Sequence, residues 1–120
     1  MTAILIVEDN ALIRMATKFL FKSFDCEVDF ANTGKEALRC LEKRHYDIVF
    51  LDLGLPDMSG FELAKKIRSV KKQENLRLIA LTAQASESKH ECQAVGVREF
   101  YTKPLRESDI VAVLSKAYRR

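Results

Sequence analysis

The chain of 120 residues is 48% hydrophobic and 31% charged, with four Gly and two Pro. That is the composition of one globular domain spanning 1–120, and it excludes collagen-like, low-complexity and disordered classes. The net charge of +3, from 20 basic against 17 acidic residues, gives no argument for a nucleic-acid partner. No apolar run approaches the roughly 18–20 residues of a membrane span.

The chain opens Met-Thr-Ala-Ile-Leu-Ile-Val and meets Glu8 and Asp9 at once. A secretory signal needs a basic start and a longer apolar stretch, so Ala3–Val7 reads as a buried strand. An amphipathic stretch follows, with Leu12, Met15, Ala16, Phe19 and Leu20 on one helical stripe expected to face the core. Glu27–Ala31 alternates, with Val28 and Phe30 apolar, as a strand at or near a sheet edge does. Thr33 and Glu36 have capping-box spacing before a helix whose stripe is Ala37, Leu38 and Leu41. Asp47–Leu51 is an almost continuous apolar strand. After it comes a loop rich in turn residues, Leu53 to Gly60, and a helix that begins at the Ser59/Glu62 pair and buries Leu63, Ala64 and Ile67.

Arg77–Leu81 is a third continuously apolar strand. Ala85–Val95 is the weakest helical pattern, with only Cys92, Ala94 and Val95 as apolar positions and Gly96 as a natural stop. A fifth strand over Arg98–Thr102 and a last helix with Ile110, Val113, Leu114 and Ala117 complete the order. Five strands alternating with five helices give an α/β fold with right-handed crossovers and a parallel sheet. Cys26, Cys40 and Cys92 form no CxxC pair and are odd in number, which fits reduced thiols in a cytoplasmic protein. Lys65, Lys66, Arg68, Lys71 and Lys72 read as a solvated helix end, and His45 and His90 as exposed residues without a ligand role.

Ligands of an open parallel sheet bind beyond the carboxyl ends of its strands. There the chain places Glu8-Asp9, Asp52, Thr82-Ala83 and Lys103-Pro104. Each residue alone is an ordinary turn former, helix cap or surface charge. Four strand ends that bring carboxylates, a hydroxyl and an ammonium to one rim make a site. Crowded carboxylates repel, so at least one is expected to have a raised pKa. Oxygen ligands without His or Cys select a hard cation such as Mg²⁺. A carboxylate can also take a phosphoryl group as an aspartyl phosphate. Phosphoryl transfer chiefly needs positioning and charge neutralisation.

This strand-end set, with LDLGLPDMSG around the central Asp, resembles a response-regulator receiver domain along essentially the whole chain. The resemblance implies a flavodoxin-like (βα)5 doubly wound fold with strand order 2-1-3-4-5. It implies that Asp52 accepts a phosphoryl group from a phosphohistidine of a histidine kinase or histidine phosphotransfer domain. Mg²⁺ would be held by Asp9, Asp52 and the Gly54 carbonyl, with Glu8 acting through water. Lys103 would pair with the phosphoryl group, Thr82 would hydrogen-bond one of its oxygens, and Ala83 would leave room beside its backbone N–H. Phe100 stands where a switch aromatic turns inward, often Tyr in relatives, with ordinary strand packing as the alternative, while Tyr101 should face the other side of the sheet. The output face would be the Ala85–Val95 segment, the fifth strand and the last helix, and Gly54 and Gln84 flank the site and would influence the lifetime of the phosphoryl group.

Such a domain catalyses its own phosphorylation and dephosphorylation without being a turnover enzyme by itself. Ala80-Leu81-Thr82-Ala83, Cys92 to Gly96 and Lys103-Pro104-Leu105 are similar to receivers of hybrid sensor histidine kinases. In that setting the domain would lie on the cytoplasmic side of the membrane. A free-standing regulator that ends at Arg119-Arg120 is the alternative, and a phosphorylation-dependent dimer stays open. A flavodoxin-like cofactor binder would need a Ser-, Thr- or Gly-rich phosphate loop where Glu8-Asp9 stands. An Asp-based phosphatase would carry a second Asp where Gly54 stands. A pseudo-receiver serving only for docking would have lost part of the acidic, Thr and Lys set.

Overall fold

The computed structural model of the chain describes residues 1–69, 75–83, 96, 97 and 99–117. Lys71, Lys72, Arg98, Arg119, Arg120 and the Gln84–Val95 segment, with His90, Cys92 and the expected helix, lie outside the described residues, as does the Ala117 side chain. In chain order the elements are β1 (Thr2–Val7), α1 (Ala11–Phe21), β2 (Cys26–Ala31), α2 (Gly34–Lys43) and β3 (Ile48–Asp52), followed by α3 (Gly60–Arg68), β4 (Arg77–Thr82), β5 (Glu99–Thr102) and α4 (Glu107–Ala117). The five strands form one parallel sheet in the order β2-β1-β3-β4-β5, which is the expected doubly wound topology. β2 is an edge strand and its side chains are mostly half-buried, as its alternation predicts.

The central strands are apolar on both faces because helices cover both faces. Ala3, Leu5 and Val7 of β1 and Val49 and Leu51 of β3 point into one layer with Ala37 and Leu41 of α2 and Leu63, Ala64 and Ile67 of α3. The alternate residues Ile4, Ile6, Ile48 and Phe50 point into the other layer with Phe21 of α1 and Ile110 and Val113 of α4. Phe21 meets Phe50 edge to face at 6.2 Å between ring centres. Phe100 packs against the first layer and Tyr101 against the second, as their alternation on β5 requires.

Helix starts follow the cap chemistry. Thr33 Oγ1 accepts from Glu36 N at 3.1 Å, and Glu36 reaches back one residue further than a capping box, to Asn32 N at 3.3 Å. Ser59 Oγ accepts from Glu62 N at 3.1 Å. Asn10, not Asp9, caps α1 by accepting from Leu12 N and Ile13 N, which leaves the Asp9 carboxylate for other work.

The inward stripe expected for α1 is corrected by the structure. Leu12, Met15 and Phe19 are 76%, 68% and 72% exposed, and Ala16 is exposed too. The helix instead turns Thr17 and Phe21 inward, with Leu20 half-buried beside them. Thr17 counts as polar in a periodicity reading, yet its hydroxyl donates to Ile13 O at 2.7 Å and so buries without loss. Leu20 was on the expected stripe and is the one member that packs on the core.

Candidate functional site

The register of the sheet brings the strand ends level. Val7 pairs with Leu51, Asp52 with Leu81 and Thr82 with Thr102, so the next residues of each strand meet at one rim. The pairing runs on past the strands through Glu8 N to Ala31 O at 2.9 Å and Lys103 N to Thr82 O at 2.9 Å. The Lys103-Pro104 peptide is cis. A cleft of about 460 Å³ opens there, lined by Glu8, Asp9, Asp52, Gly54, Thr82, Ala83 and Lys103, with Asn10, Ile13 and Leu53 completing the wall. The residues expected to hold the ion and the phosphoryl group, Glu8, Asp9, Asp52, Gly54, Thr82, Ala83 and Lys103, all line this cleft, whereas Phe100 does not. Phe100 is half-buried on β5, toward the α2–α3 side of the sheet.

Asp52 is the centre of the arrangement. It is buried, its Oδ1 accepts from Gly54 N at 3.0 Å, and its Oδ2 accepts from Lys103 Nζ at 2.7 Å. Glu8 is only 1% exposed. Its Oε2 accepts from Asn10 N at 3.1 Å, whereas Oε1 has no hydrogen-bond partner and faces Lys103 Nζ as an ion pair at 3.3 Å. One ammonium therefore serves two buried carboxylates.

Burial pushes the Glu8 carboxyl above its ordinary value; the charge of Asp52 adds to that, while the Asn10 amide and Lys103 oppose it. The expectation of a raised carboxylate pKa from crowding thus holds in direction, but desolvation is the larger cause and repulsion the smaller. Burial works against the Lys103 ammonium, yet the hydrogen bond and charge of Asp52, and then Glu8, outweigh it and hold that pKa above the usual lysine value.

Glu8, Asp9 and Asp52 can each place one oxygen within 4.8 Å of the others. This all-oxygen donor set, with a buried Glu8 oxygen met by the Lys103 charge and not by a hydrogen bond, fits a hard divalent cation such as Mg²⁺. Sequence reasoning did not find Arg14, whose guanidinium donates to Glu8 O at 2.9 Å and ties α1 to the end of β1. A side-chain bond to a carbonyl six residues earlier has no local motif. Nor did it find Asp57, whose partners lie 22 and 23 residues away. Cys26 and Cys40 are free thiols that burial pushes up in pKa, in line with unreactive reduced cysteines. Among the described residues no helix is long and apolar enough to cross a membrane.

The family profile described as "Response regulator receiver domain" matches residues 4–115. Among curated proteins the chain is 38% identical to hybrid signal transduction histidine kinase A of Dictyostelium discoideum, over 93% of this chain and 5% of that protein. It is 36% identical to the transcriptional regulatory protein PhoP of Escherichia coli, over 98% of this chain and 52% of that protein. The chain spans 6%, 5% and 7% of the length of three hybrid kinases from Dictyostelium that it matches. Among solved structures, chemotaxis response regulator CheY4 of Vibrio cholerae superposes with a TM-score of 0.89 at 29% identity, covering 98% of both chains. The receiver domain of sensor histidine kinase PA1611 of Pseudomonas aeruginosa, with magnesium coordinated in its active-site cleft, gives 0.88 at 27% identity over 99% of this chain and 98% of that one. The receiver domain of Ssk1 in complex with the histidine phosphotransfer protein Ypd1 of Saccharomyces cerevisiae gives 0.81 at 28% identity, over 96% and 84%.

Proposed function

The chain belongs to the response regulator receiver domain family, and on that premise we propose that Asp52 is its phosphoacceptor within a phosphorelay. The observation that carries this reading is the double engagement of the Asp52 carboxylate, by Lys103 Nζ on one oxygen and Gly54 N on the other. Those two donors fix the plane of the carboxylate and aim it into the cleft, so that little reorganisation precedes attack.

In the step itself, an Asp52 oxygen forms a bond to phosphorus as the P–N bond of a phosphohistidine breaks, and the ring nitrogen keeps the bonding electron pair. Lys103 is within reach to follow the developing charge from the carboxylate to a phosphoryl oxygen. Thr82 supplies a hydroxyl to another oxygen. Ala83, with no side chain beyond Cβ, leaves its N–H approachable. Asp9, Asp52 and the Gly54 carbonyl would hold Mg²⁺, with Glu8 behind them through a water. That ion, when bound, offsets the charge of the carboxylates and the phosphoryl oxygens. Water attack on the same phosphorus breaks the bond between phosphorus and the Asp52 oxygen, releases inorganic phosphate and returns Asp52 to its free carboxylate. Phe100 would respond to Thr82 by rotating further inward between its half-buried position and the sheet.

The partner reading follows from α1. Leu12, Met15 and Phe19 form an exposed apolar stripe on α1, the helix that carries the cleft-lining Ile13, and it is flanked by Arg14, Lys18 and Lys22. A phosphodonor presenting an apolar helical face with an acidic rim fits that surface, and the complex of the Ssk1 receiver with the histidine phosphotransfer protein Ypd1 supports that partner class. We read 1–120 as a single receiver unit on the cytoplasmic side, within a hybrid sensor histidine kinase. The likeness to PhoP and CheY4 supports the second reading, a receiver outside a kinase chain.

The test is incubation with Mg²⁺ and acetyl phosphate, followed by intact mass. Wild type is expected to gain one phosphoryl mass and Asp52→Asn none. An unlabelled wild type, or equal labelling of both proteins, overturns the assignment.

A further inference from the structure

The loop from Leu53 to Ser59, which carries Gly54, is closed at both ends. At its base Gly54 and Ser59 form an antiparallel bridge, and Gly60 N donates to Leu53 O at 3.0 Å. Gly60 makes this closure possible, because a Cβ there would sit 2.7 Å from Leu53 Cα and 2.8 Å from Asp52 O. At its tip Asp57 reaches a different element. Its Oδ1 accepts from Gly34 N at 2.9 Å and its Oδ2 from Lys35 N at 3.1 Å, the first two amides of α2. Met58 lies on the same spot, so near that a Cβ on Gly34 would come within 2.7 Å of its Cγ and Sδ. The amide of Gly34, ahead of that of Lys35, holds the Asp57 carboxyl below its ordinary range.

α2 has a cap of its own in Thr33, which serves the third amide, Glu36 N. Asp57 takes the two amides that Thr33 leaves open, and because it comes from the loop it ties the loop tip to the helix in the same bonds. We propose that Asp57 is a positioning residue: by clasping the start of α2, with Met58 packed beside it, it holds the Gly54 peptide in place against Asp52 for metal binding. Gly54 donates to Asp52 Oδ1 and lines the cleft, and on the Mg²⁺ reading its carbonyl would be a ligand, so freedom at the tip is felt at the ligand. A loop already ordered does not pay its ordering entropy when the ion arrives. This inference rests on the reading of the cleft as a Mg²⁺ site.

The experiment is a Mg²⁺ titration of the full chain, read as the rise in melting temperature, for wild type, Asp57→Ala, Met58→Ala and Thr33→Ala. Outer residues that orient metal ligands typically change affinity by about 10-fold or more. Asp57→Ala is expected to move the Mg²⁺ midpoint about tenfold higher, with Met58→Ala moving it in the same direction without any change of charge. The shift should persist in about 0.5 M salt, where long-range charge effects are screened. Saturating Mg²⁺ should restore the acetyl phosphate labelling rate of Asp57→Ala. Thr33→Ala, which weakens the same helix end but leaves the clasp, should keep the wild-type midpoint. A wild type that does not respond to Mg²⁺ at all overturns the metal reading and this inference with it. A responsive wild type matched by Asp57→Ala overturns the clasp alone, as does an equal shift in Thr33→Ala. A shift that vanishes in high salt, with none in Met58→Ala, assigns the effect to charge and rejects the clasp.

Discussion

Lys103 Nζ donates to Asp52 Oδ2 at 2.7 Å while standing 3.3 Å from Glu8 Oε1. A single positive charge thus sits between two negative charges that are almost out of solvent. With Asp9 at the rim, the cleft carries more negative than positive charge before any cation arrives. The arrangement is tolerable but incomplete, which is the electrostatic condition for a site that recruits a divalent ion.

Removing the ammonium should therefore be costly. In Lys103→Ala two buried carboxylates lose their shared partner, and breaking a buried pair costs about 3–5 kcal/mol. The lysine is partly exposed, so about 2–3 kcal/mol is expected in chelator. Asp52→Asn should act in the opposite sense and stabilise the metal-free protein by about 1 kcal/mol, since it leaves one cation facing one buried anion. Urea unfolding in EDTA checks both signs. Adding Mg²⁺ should stabilise wild type more than Asp52→Asn through mass action.

Glu8 makes the pH dependence. Its folded pKa lies above the ordinary value of 4.5, with burial as the first cause and the charge of Asp52 adding to it. Between its unfolded and folded pKa the native state holds more protons than the unfolded state, so stability falls as pH rises through that interval. Its contribution is fully present below pH 4.5 and gone above the folded value. Glu8→Gln should remove this slope, so that in chelator the variant gains on wild type as pH climbs from the unfolded value. Parallel stability-against-pH curves for the two proteins would contradict the burial argument.

Tyr46 predicts a second, independent slope at the other pH extreme. It is buried, and its hydroxyl donates to Asp29 Oδ2 at 2.5 Å, beside the Arg44 guanidinium that also pairs with Asp29 and Glu27. Burial, then the bond to Asp29, push the phenol well above its ordinary 10.0. Tyr46→Phe leaves the ring in place and deletes the bond. A hydrogen bond to a charged group contributes about 1.5–3 kcal/mol, and the half-exposed Asp29 reduces that to about 1 kcal/mol. The wild-type advantage should be constant below pH 10 and begin to shrink as pH rises from 10 toward the folded value. Thermal melts from pH 8 to 11 read it directly.

The fold and the cleft were legible in the sequence for different reasons. Strand ends are marked twice, by the stop of an apolar run and by a change to charged or turn residues, so Glu8, Asp52, Thr82 and Lys103 could be placed on one rim from order alone. Nothing of that kind marks Asp57, whose partners lie across a strand and a helix, nor Arg14, which binds a carbonyl that has no side-chain signature. α1 failed for another reason. It carries apolar residues on two faces, and periodicity sees both without knowing which one the sheet will cover. The polar Thr17 tipped the reading away from the face that is in fact buried, because self-satisfaction of a hydroxyl by the preceding turn leaves no trace in composition.

The two faces of α1 should then separate by mutation. Phe21 is 4% exposed and stacks edge-on with Phe24 and Phe50, so Phe21→Ala should cost about 3–4 kcal/mol by opening a cavity in the second layer. Phe19, two residues earlier, is 72% exposed, and Phe19→Ala should change stability by no more than about 0.5 kcal/mol. If the exposed stripe is where a phosphodonor docks, Phe19→Ala and Leu12→Ala should slow phosphotransfer from a histidine phosphotransfer protein by about tenfold or more. Labelling by acetyl phosphate, which needs no docking surface, should stay at the wild-type rate. Equal loss with both donors would place the defect in the cleft, and no loss with either would leave the stripe outside the contact. Salt sharpens the comparison, because Arg14, Lys18 and Lys22 flank the stripe: raising ionic strength should slow transfer from an acidic-rimmed partner while leaving the small-molecule reaction nearly unchanged.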